Sequence, residues 1–197
     1  MLITESRIAS SLRAALTGNG NDGYSEIDIT GDTRLKCAAV LIPLVLDGGG
    51  WHILYTRRTY RVESHKGQVS FPGGACDEQE TTAEETALRE AREEIGIDPS
   101  KIRVLGRLSS MITITTFQVT PVVGVIPWPT VFRLNENEVE RIFTVPIDWL
   151  ADAGNRWEFN FPGRHRSVIV YHPFDGELVW GATARMTVDF LQVIGLL

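Results

Sequence analysis

The stretch from Thr82 to Gly96 constrains this chain more than any other. Thr82, followed three residues later by Glu85, forms the capping-box pattern of a helix start. Ala83, Ala87, Leu88, Ala91 and Ile95 then recur at helical spacing, and Gly96 with Pro99 stops the element. A helix of this kind has to bury its apolar stripe, so the rest of the fold must offer a matching face. On the same helix Glu90, Glu93 and Glu94 fall within an arc of about 100°. Like charges one turn apart repel by about 0.2–0.5 kcal/mol per pair. A solvated acidic face is the plain explanation of such a cluster. Three features point elsewhere. Glu90 and Glu94 border the apolar stripe, the upstream turn FPGG brings backbone close with little side-chain cover, and Arg89 is placed to fix a carboxylate by a bidentate contact.

Hard carboxylate oxygens with no histidine or cysteine interleaved suit Mg²⁺ or Mn²⁺ rather than zinc. Such an ion would relieve the repulsion, neutralise phosphate oxygens and orient an attacking water. Spacing alone therefore leads to metal-assisted phosphoryl chemistry. The 197-residue chain carries a formal net charge of −6 and has no block of five or more basic residues, which argues against nucleic-acid or membrane-surface binding. An anionic ligand needs local help, and Arg57, Arg58, Arg61, His65 and Lys66 supply a basic cluster; the alternative is a set of loop charges pairing with Glu63 and Glu78.

One core is the expectation for this length. Ile8, Leu12, Ala15 and Leu16 behind Thr4 predict an amphipathic helix docked on the domain. Gly18, Gly20 and Gly23 spell GxGxxG, but the motif needs a strand before it and a helix after it, so this stretch is expected to be a mobile linker. CAAVLIPLV and WHILYTRR around DGGG predict a hairpin. Further strands are expected at KIRVLGRL, FQVTPVVGVI, ERIFTVPI, WEFNF and SVIVYH, with a closing helix from about Gly181. This pattern predicts an α/β (α+β) chain: residues 1–34 as helix and linker, 35–197 as a single domain. Cys37 and Cys76 form no CxxC pair and are too few for a disulfide framework, which fits a reducing cytoplasm; Cys76 has no activating partner and is taken as incidental. The first residues lack the apolar run of a signal peptide or membrane span. His52, His165 and His172 stand outside any ligand spacing.

The segment from Gly74 to Ile97 resembles the Nudix box: G, five residues, E, seven residues, then REUxEExGU with U aliphatic. Gly74 is followed five residues later by Glu80, and Arg89 to Ile97 reads REAREEIGI. Eight residues rather than seven separate Glu80 from Arg89, and Ala91 fills an aliphatic position. The extra residue falls before the capped helix and should lengthen the loop only. That insertion is similar to the branch of the family that hydrolyses coenzyme A. LYTRRT at 54–59 and HKGQVSFPGG at 65–74 resemble its upstream motif, with Tyr55, Thr59 and Glu63 departing from the commonest residues. FQVTPVVG, VERIFTVPIDWL and VWGATA extend the resemblance over roughly residues 35 to 195.

The resemblance implies a Nudix-type α/β/α sandwich with a mixed β-sheet, and hydrolysis of the pyrophosphate in coenzyme A or its derivatives to 3′,5′-ADP and 4′-phosphopantetheine. Glu90 and Glu94 are the first candidates for Mg²⁺ or Mn²⁺ ligands. Glu93 completes the site or acts as base, unless an acid from the later loop RLNENEVE does so. Arg89 orients, and Gly74 serves backbone geometry and offers its carbonyl to the metal. Arg58, His65, Lys66 and Gln68 are the substrate-binding candidates. Two alternatives stay open: hydrolysis of another nucleoside diphosphate linked to X, such as ADP-ribose, and a non-catalytic ligand sensor. The sequence leaves oligomeric state, including a homodimer, undecided.

Overall fold

The computed structural model describes residues 3–17, 25–26, 33–62, 65–160 and 167–197. The GxGxxG glycines, Glu63 and His165 lie outside these residues. In chain order the elements are α1 (Glu5–Thr17), β1 (Lys36–Asp47), β2 (Gly50–Arg58), β3 (Val69–Ser70), β4 (Gly73–Ala75), α2 (Ala83–Ile95), β5 (Arg103–Arg107), β6 (Met111–Ile112), β7 (Phe117–Val125), β8 (Val139–Pro146), α3 (Ile147–Ala151), β9 (Arg156–Phe159), β10 (Val168–Tyr171) and α4 (Gly181–Val193). The hairpin, the long strands and three of the helices stand where the sequence predicts them. β3, β4, β6 and α3 were not predicted, because two to five residues show no periodicity.

A mixed sheet carries the fold. β1 lies at its centre, parallel to β7 across nine register pairs from Lys36 and Phe117 to Leu44 and Val125. The other pairings are antiparallel. β1 is buried on both faces and reads as a continuous apolar run, as central strands do. Ala39, Leu41 and Val45 face α2, packing with Ala87, Ala91 and Ile95. The alternate residues Ala38, Ile42 and Leu44 pack on the other face with Ile8 and Leu12 of α1 and Phe190 and Leu191 of α4. Helices thus cover both faces of a mixed sheet, an α/β/α sandwich. β9 and β10 form a separate hairpin.

The site depends on how β1 and β2 part company. They pair only near their turn, from Leu44 and Ile53 to Asp47 and Gly50. Beyond it, residues 69–75 fill the gap: β3 pairs with β2 through Thr56 and Ser70, and β4 pairs with β1 through Val40 and Gly73. The Leu41 N–H donates to the Pro72 carbonyl at 2.8 Å. FPGG is therefore built into the sheet under α2. Close approach decides its composition, since a Cβ on Gly73 would lie 2.5 Å from the Ala39 carbonyl oxygen and 2.7 Å from Val40 Cα.

The two cysteines correct the sequence expectation. Cys37 and Cys76 are joined by a disulfide, with Cα atoms 5.4 Å apart. The β1–β4 ladder aligns them, and the Cys76 N–H donates to the Cys37 carbonyl at 3.1 Å. A separation of 39 residues and a strand of three residues hid this register from the sequence. The argument from unpaired thiols to a reducing cytoplasm falls with it. Among the described residues no helix is long and apolar enough to cross a membrane.

Gly73→Ala is expected to lower stability by about 1–3 kcal/mol, the usual cost of forcing atoms into a packed site. Gly50→Ala serves as the comparison, because its added Cβ would meet only the Asp47 carbonyl at 3.7 Å. Urea unfolding of both variants checks this; equal midpoints would show that the sheet yields at Gly73.

Candidate active site

Helix α2 starts as its sequence predicts. Thr82 Oγ1 accepts from the Glu85 N–H at 3.2 Å, and the Glu85 carboxylate accepts from the Thr82 N–H at 3.1 Å. Gly96 closes it in the left-handed conformation, its N–H donating to Arg92 O. These caps fix the rotation of the helix, and the apolar stripe holds it on the sheet. Glu90 and Glu94 then face the inserted FPGG segment, while Glu93 is exposed.

Arg89 gathers the site. Its Nε donates to Glu80 Oε1 at 2.7 Å and its Nη2 to Glu80 Oε2 at 3.4 Å, a bidentate contact. Nη1 donates to Glu90 Oε1 at 2.7 Å and to Glu93 Oε2 at 3.0 Å, and Nη2 also reaches the Ala75 carbonyl at 3.0 Å. One guanidinium thus joins three carboxylates to the backbone of β4, using the planar fork that arginine provides. The sequence predicted a bidentate role without naming its partner, which is Glu80. Glu80 also accepts from Thr86 Oγ1 at 2.7 Å and from the Asp77 N–H at 2.8 Å. The Arg89 bond, with these two, lowers the Glu80 carboxyl to about 2.

Glu94 is the opposite case. It is 1% exposed, and its Oε2 has no hydrogen-bond partner. Oε1 makes a long contact of 3.4 Å with Arg58 Nη1. Burial pushes the Glu94 carboxyl up to about 8, with Arg58 opposing the shift. Burial also raises Glu90, opposed by Arg89. Glu90 packs against Gly74 so closely that a Cβ there would lie 2.5 Å from its Oε1. Gly74 is small because a carboxylate occupies the space beside it.

The loop after β7 closes the site from the other side. The Asn135 N–H donates to the Glu94 carbonyl at 2.9 Å and the Arg133 N–H to the Ile95 carbonyl at 3.0 Å. Glu138, held by Asn135 Nδ2 at 3.1 Å, adds negative potential at both Glu90 and Glu94. RLNENEVE offered three glutamates to the sequence reading, and contact with the helix end singles out this one.

The basic candidates separate. Arg58 turns to Glu94, while Arg57 pairs with Glu140 and Glu177 at 3.3 Å each. Among the described residues neither arginine pairs with Glu78, and Glu63, the other acid of the alternative, lies outside them. His65 and Lys66 are exposed, and His65 Nδ1 lies 2.9 Å from Gln68 Oε1. Their loop is anchored beside the acidic cluster: the Arg58 N–H donates to the Gln68 carbonyl at 2.9 Å, and the Thr59 N–H to that of Glu138 at 2.9 Å.

The donor set suits a hard divalent cation in its chemistry: clustered carboxylates, two of them pushed toward neutrality by burial, one with an orphaned oxygen. Among the described residues, however, no three His, Cys, Asp or Glu side chains already converge in a metal-holding arrangement. Arg89 holds Glu90 and Glu93 in their place.

Residues 35–167 match the family model described as the NUDIX domain. The chain belongs to the Nudix family. It is 40% identical over 150 residues to an uncharacterised Nudix hydrolase, NudL, of Pectobacterium atrosepticum, covering 76% of this chain and 78% of that one. It is 38% identical over 160 residues to the NudL of Escherichia coli K12, covering 81% and 83%. Among solved structures it is similar to the Nudix hydrolase RenU of M. smegmatis, with a TM-score of 0.50 and 25% identity over 59% of this chain and 74% of that one.

Glu80→Gln is expected to destabilise the protein by about 1.5–3 kcal/mol at pH 7, the range for hydrogen bonds to a charged group. The folded carboxyl titrates near 2, below its unfolded value of 4.5, so its contribution is full above the unfolded value and is lost as pH falls through about 2. Urea unfolding at pH 7 and at pH 3 checks this, and the gap between wild type and variant should be narrower at pH 3. A gap independent of pH would remove the Glu80 charge from the account.

Proposed function

We propose that this Nudix protein hydrolyses the diphosphate of a nucleoside diphosphate linked to a second group, with Mg²⁺ or Mn²⁺ held by Glu90 and Glu94. Membership of the family carries the coarse activity, Nudix-type hydrolysis of a nucleoside-diphosphate-linked substrate. The observation that carries the metal assignment is the buried, unpartnered Oε2 of Glu94 beside Glu90 and the Gly74 backbone. A divalent cation there would supply charge neutralisation on the diphosphate and activation of water. Glu90 and Glu94 would bind it, with Glu93 and the Gly74 carbonyl as further donors. Arg89 holds the carboxylates in register through Glu80. Glu138 or Glu93 would take the proton from the attacking water; Glu138 stands off the helix, on the loop whose Asn135 meets the end of α2, and acts electrostatically on both Glu90 and Glu94. The retained glutamates support an enzyme over a ligand sensor.

Coenzyme A is the narrower reading. It is supported by the HKGQVSFPGG segment, which spans the exposed His65–Lys66 tip and the strands beneath the site. A coenzyme A 3′-phosphate requires a cation away from the diphosphate, and Lys66 and His65 are free of ion pairs with the acidic cluster in a way that Arg58 is not. Gln68 would hold His65 in place. The family match itself supports the broader nucleoside-diphosphate reading, which includes ADP-ribose.

Glu94→Gln is expected to lower kcat by about a hundredfold without unfolding the protein, the upper end of what altering a metal's surroundings costs, and excess EDTA should abolish turnover of the wild type. Turnover that survives either treatment would overturn the metal assignment. A substrate panel with mass identification of products separates the two readings. If the loop reads the 3′-phosphate, coenzyme A should exceed dephospho-coenzyme A in kcat/KM by about ten- to a hundredfold, and Lys66→Ala should shrink that ratio. A higher kcat/KM on ADP-ribose than on coenzyme A would settle for the broader one.

A further inference from the structure

We propose that the Cys37–Cys76 disulfide is a thiol–disulfide exchange site, and that its reduction by a dithiol loosens the support of Arg89 and weakens divalent-metal binding. The inference rests on the metal assignment proposed above but concerns a pair of residues outside the acidic cluster.

The connection runs through residues 76–82. The turn at 77–80 closes on itself: the Asp77 N–H donates to Glu80 Oε2 at 2.8 Å, the Glu80 N–H to the Asp77 carbonyl at 3.1 Å, and the Gln79 N–H to Asp77 Oδ1 at 3.4 Å, while Thr86 Oγ1 of α2 donates to Glu80 Oε2 at 2.7 Å. On its helix side the turn is thus tied to α2 through Thr86 and Arg89. On its N-terminal side it is tied to the sheet at Cys76, by the disulfide and by one N–H bond to the Cys37 carbonyl. β4, which leads into Cys76, is three residues long, and the end of so short a ladder frays readily. Both outside partners of Arg89 belong to this stretch: Glu80 sits in the turn and Ala75 immediately precedes Cys76. If the stretch loosens on its sheet side, Glu80 keeps its Thr86 bond but its grip on Arg89 slackens, and the Ala75 carbonyl shifts away, while Glu90 and Glu93 stay in reach. The guanidinium then competes with a metal for those two carboxylates.

The bond is also reachable. Cys37 is exposed and Cys76 is half-buried. Exchange starts when one thiolate of a dithiol attacks Cys37 Sγ. The Cys37–Cys76 bond breaks, its electron pair leaves on Cys76 Sγ, and that thiolate takes a proton from water. The second thiol of the reductant then attacks the mixed disulfide and releases Cys37. Two electrons and two protons pass to the protein, and the dithiol leaves as its disulfide.

The test compares the protein purified without reductant with the same protein treated with dithiothreitol and desalted anaerobically. Thiol titration should rise from zero to two per chain. Hydrogen exchange in peptides covering 76–82 should accelerate on reduction, while the C-terminal half of α2 stays protected. Mn²⁺ binding, followed by electron paramagnetic resonance, should weaken by about three- to tenfold, less than the 10–100-fold typical when such a support is deleted outright. Cys37→Ser/Cys76→Ser should bind Mn²⁺ like the reduced protein and ignore reductant, and reoxidation of the wild type should restore tight binding. In Glu80→Gln the redox difference in Mn²⁺ binding should vanish, which a disulfide acting only on global stability would not produce. Should the double variant fail to fold, reduction and reoxidation of the wild type decide alone. Two free thiols in the untreated protein, or unchanged exchange and unchanged Mn²⁺ affinity after reduction, would overturn the proposal. Absence of Mn²⁺ binding in both redox states would instead strike at the metal assignment.

Discussion

Arg89 is the constraint on which the site turns. A carboxylate cluster on one helix face is unstable by itself, and burying part of it makes the repulsion worse. The guanidinium eases this by bridging Glu80, Glu90 and Glu93 while leaning on the Ala75 carbonyl. Because Glu80 is tied down by Thr86 and by its own turn, Arg89 is held from behind and aims its free edge at the cluster. Glu94 is left out of this arrangement. It is the most buried carboxylate of the four, and the one cation paired with it among the described residues, Arg58, makes a long contact. The outcome is a division of labour between acids that look interchangeable in the sequence: Glu80 is stabilised as an anion by the protein, and Glu94 is destabilised as one.

The extra residue between Glu80 and Arg89 illustrates how the fold absorbs a change in spacing. Helix α2 cannot begin before Thr82, because the capping box fixes its first turn. The added length therefore falls at Thr81 and Thr82, between Glu80 and the first turn of the helix, where it leaves the register of the helix unchanged. Glu80 still reaches Arg89 at 2.7 Å. The geometry that matters is set by the cap and by the glycines under the helix, and the loop between them can vary.

Helix α2 was legible because capping box, stripe and terminal glycine agree, and the acidic face follows from the same period. The long strands were legible from their apolar runs. What the sequence did not disclose depends on contacts between distant segments. β3 and β4 are too short for a pattern, so the insertion of FPGG between β1 and β2 could not be anticipated, and the pairing of Cys37 with Cys76 is a consequence of that insertion. The partner of Arg58 was hidden for a similar reason: adjacent arginines on a strand point to opposite faces, sending Arg57 to Glu177 and Arg58 to Glu94. Choosing Glu138 among the acids of its loop required knowing where residues 133–135 meet the end of α2.

The parallel pairing of β1 with β7 bears on how such a molecule comes into being. Strands that run the same way must be joined by a crossover, and here everything between Asp47 and Phe117, including all of the acidic helix, lies in that connection. A chain emerging from a ribosome exposes Glu90 and Glu94 well before it exposes Phe117. Until β7 arrives, the central strand has an open edge and α2 lacks Val122 and Ile126, part of the face it packs against. The residues that carry the chemistry are thus synthesised early and made competent late, so an interrupted chain holds the whole motif without the strand that completes its packing.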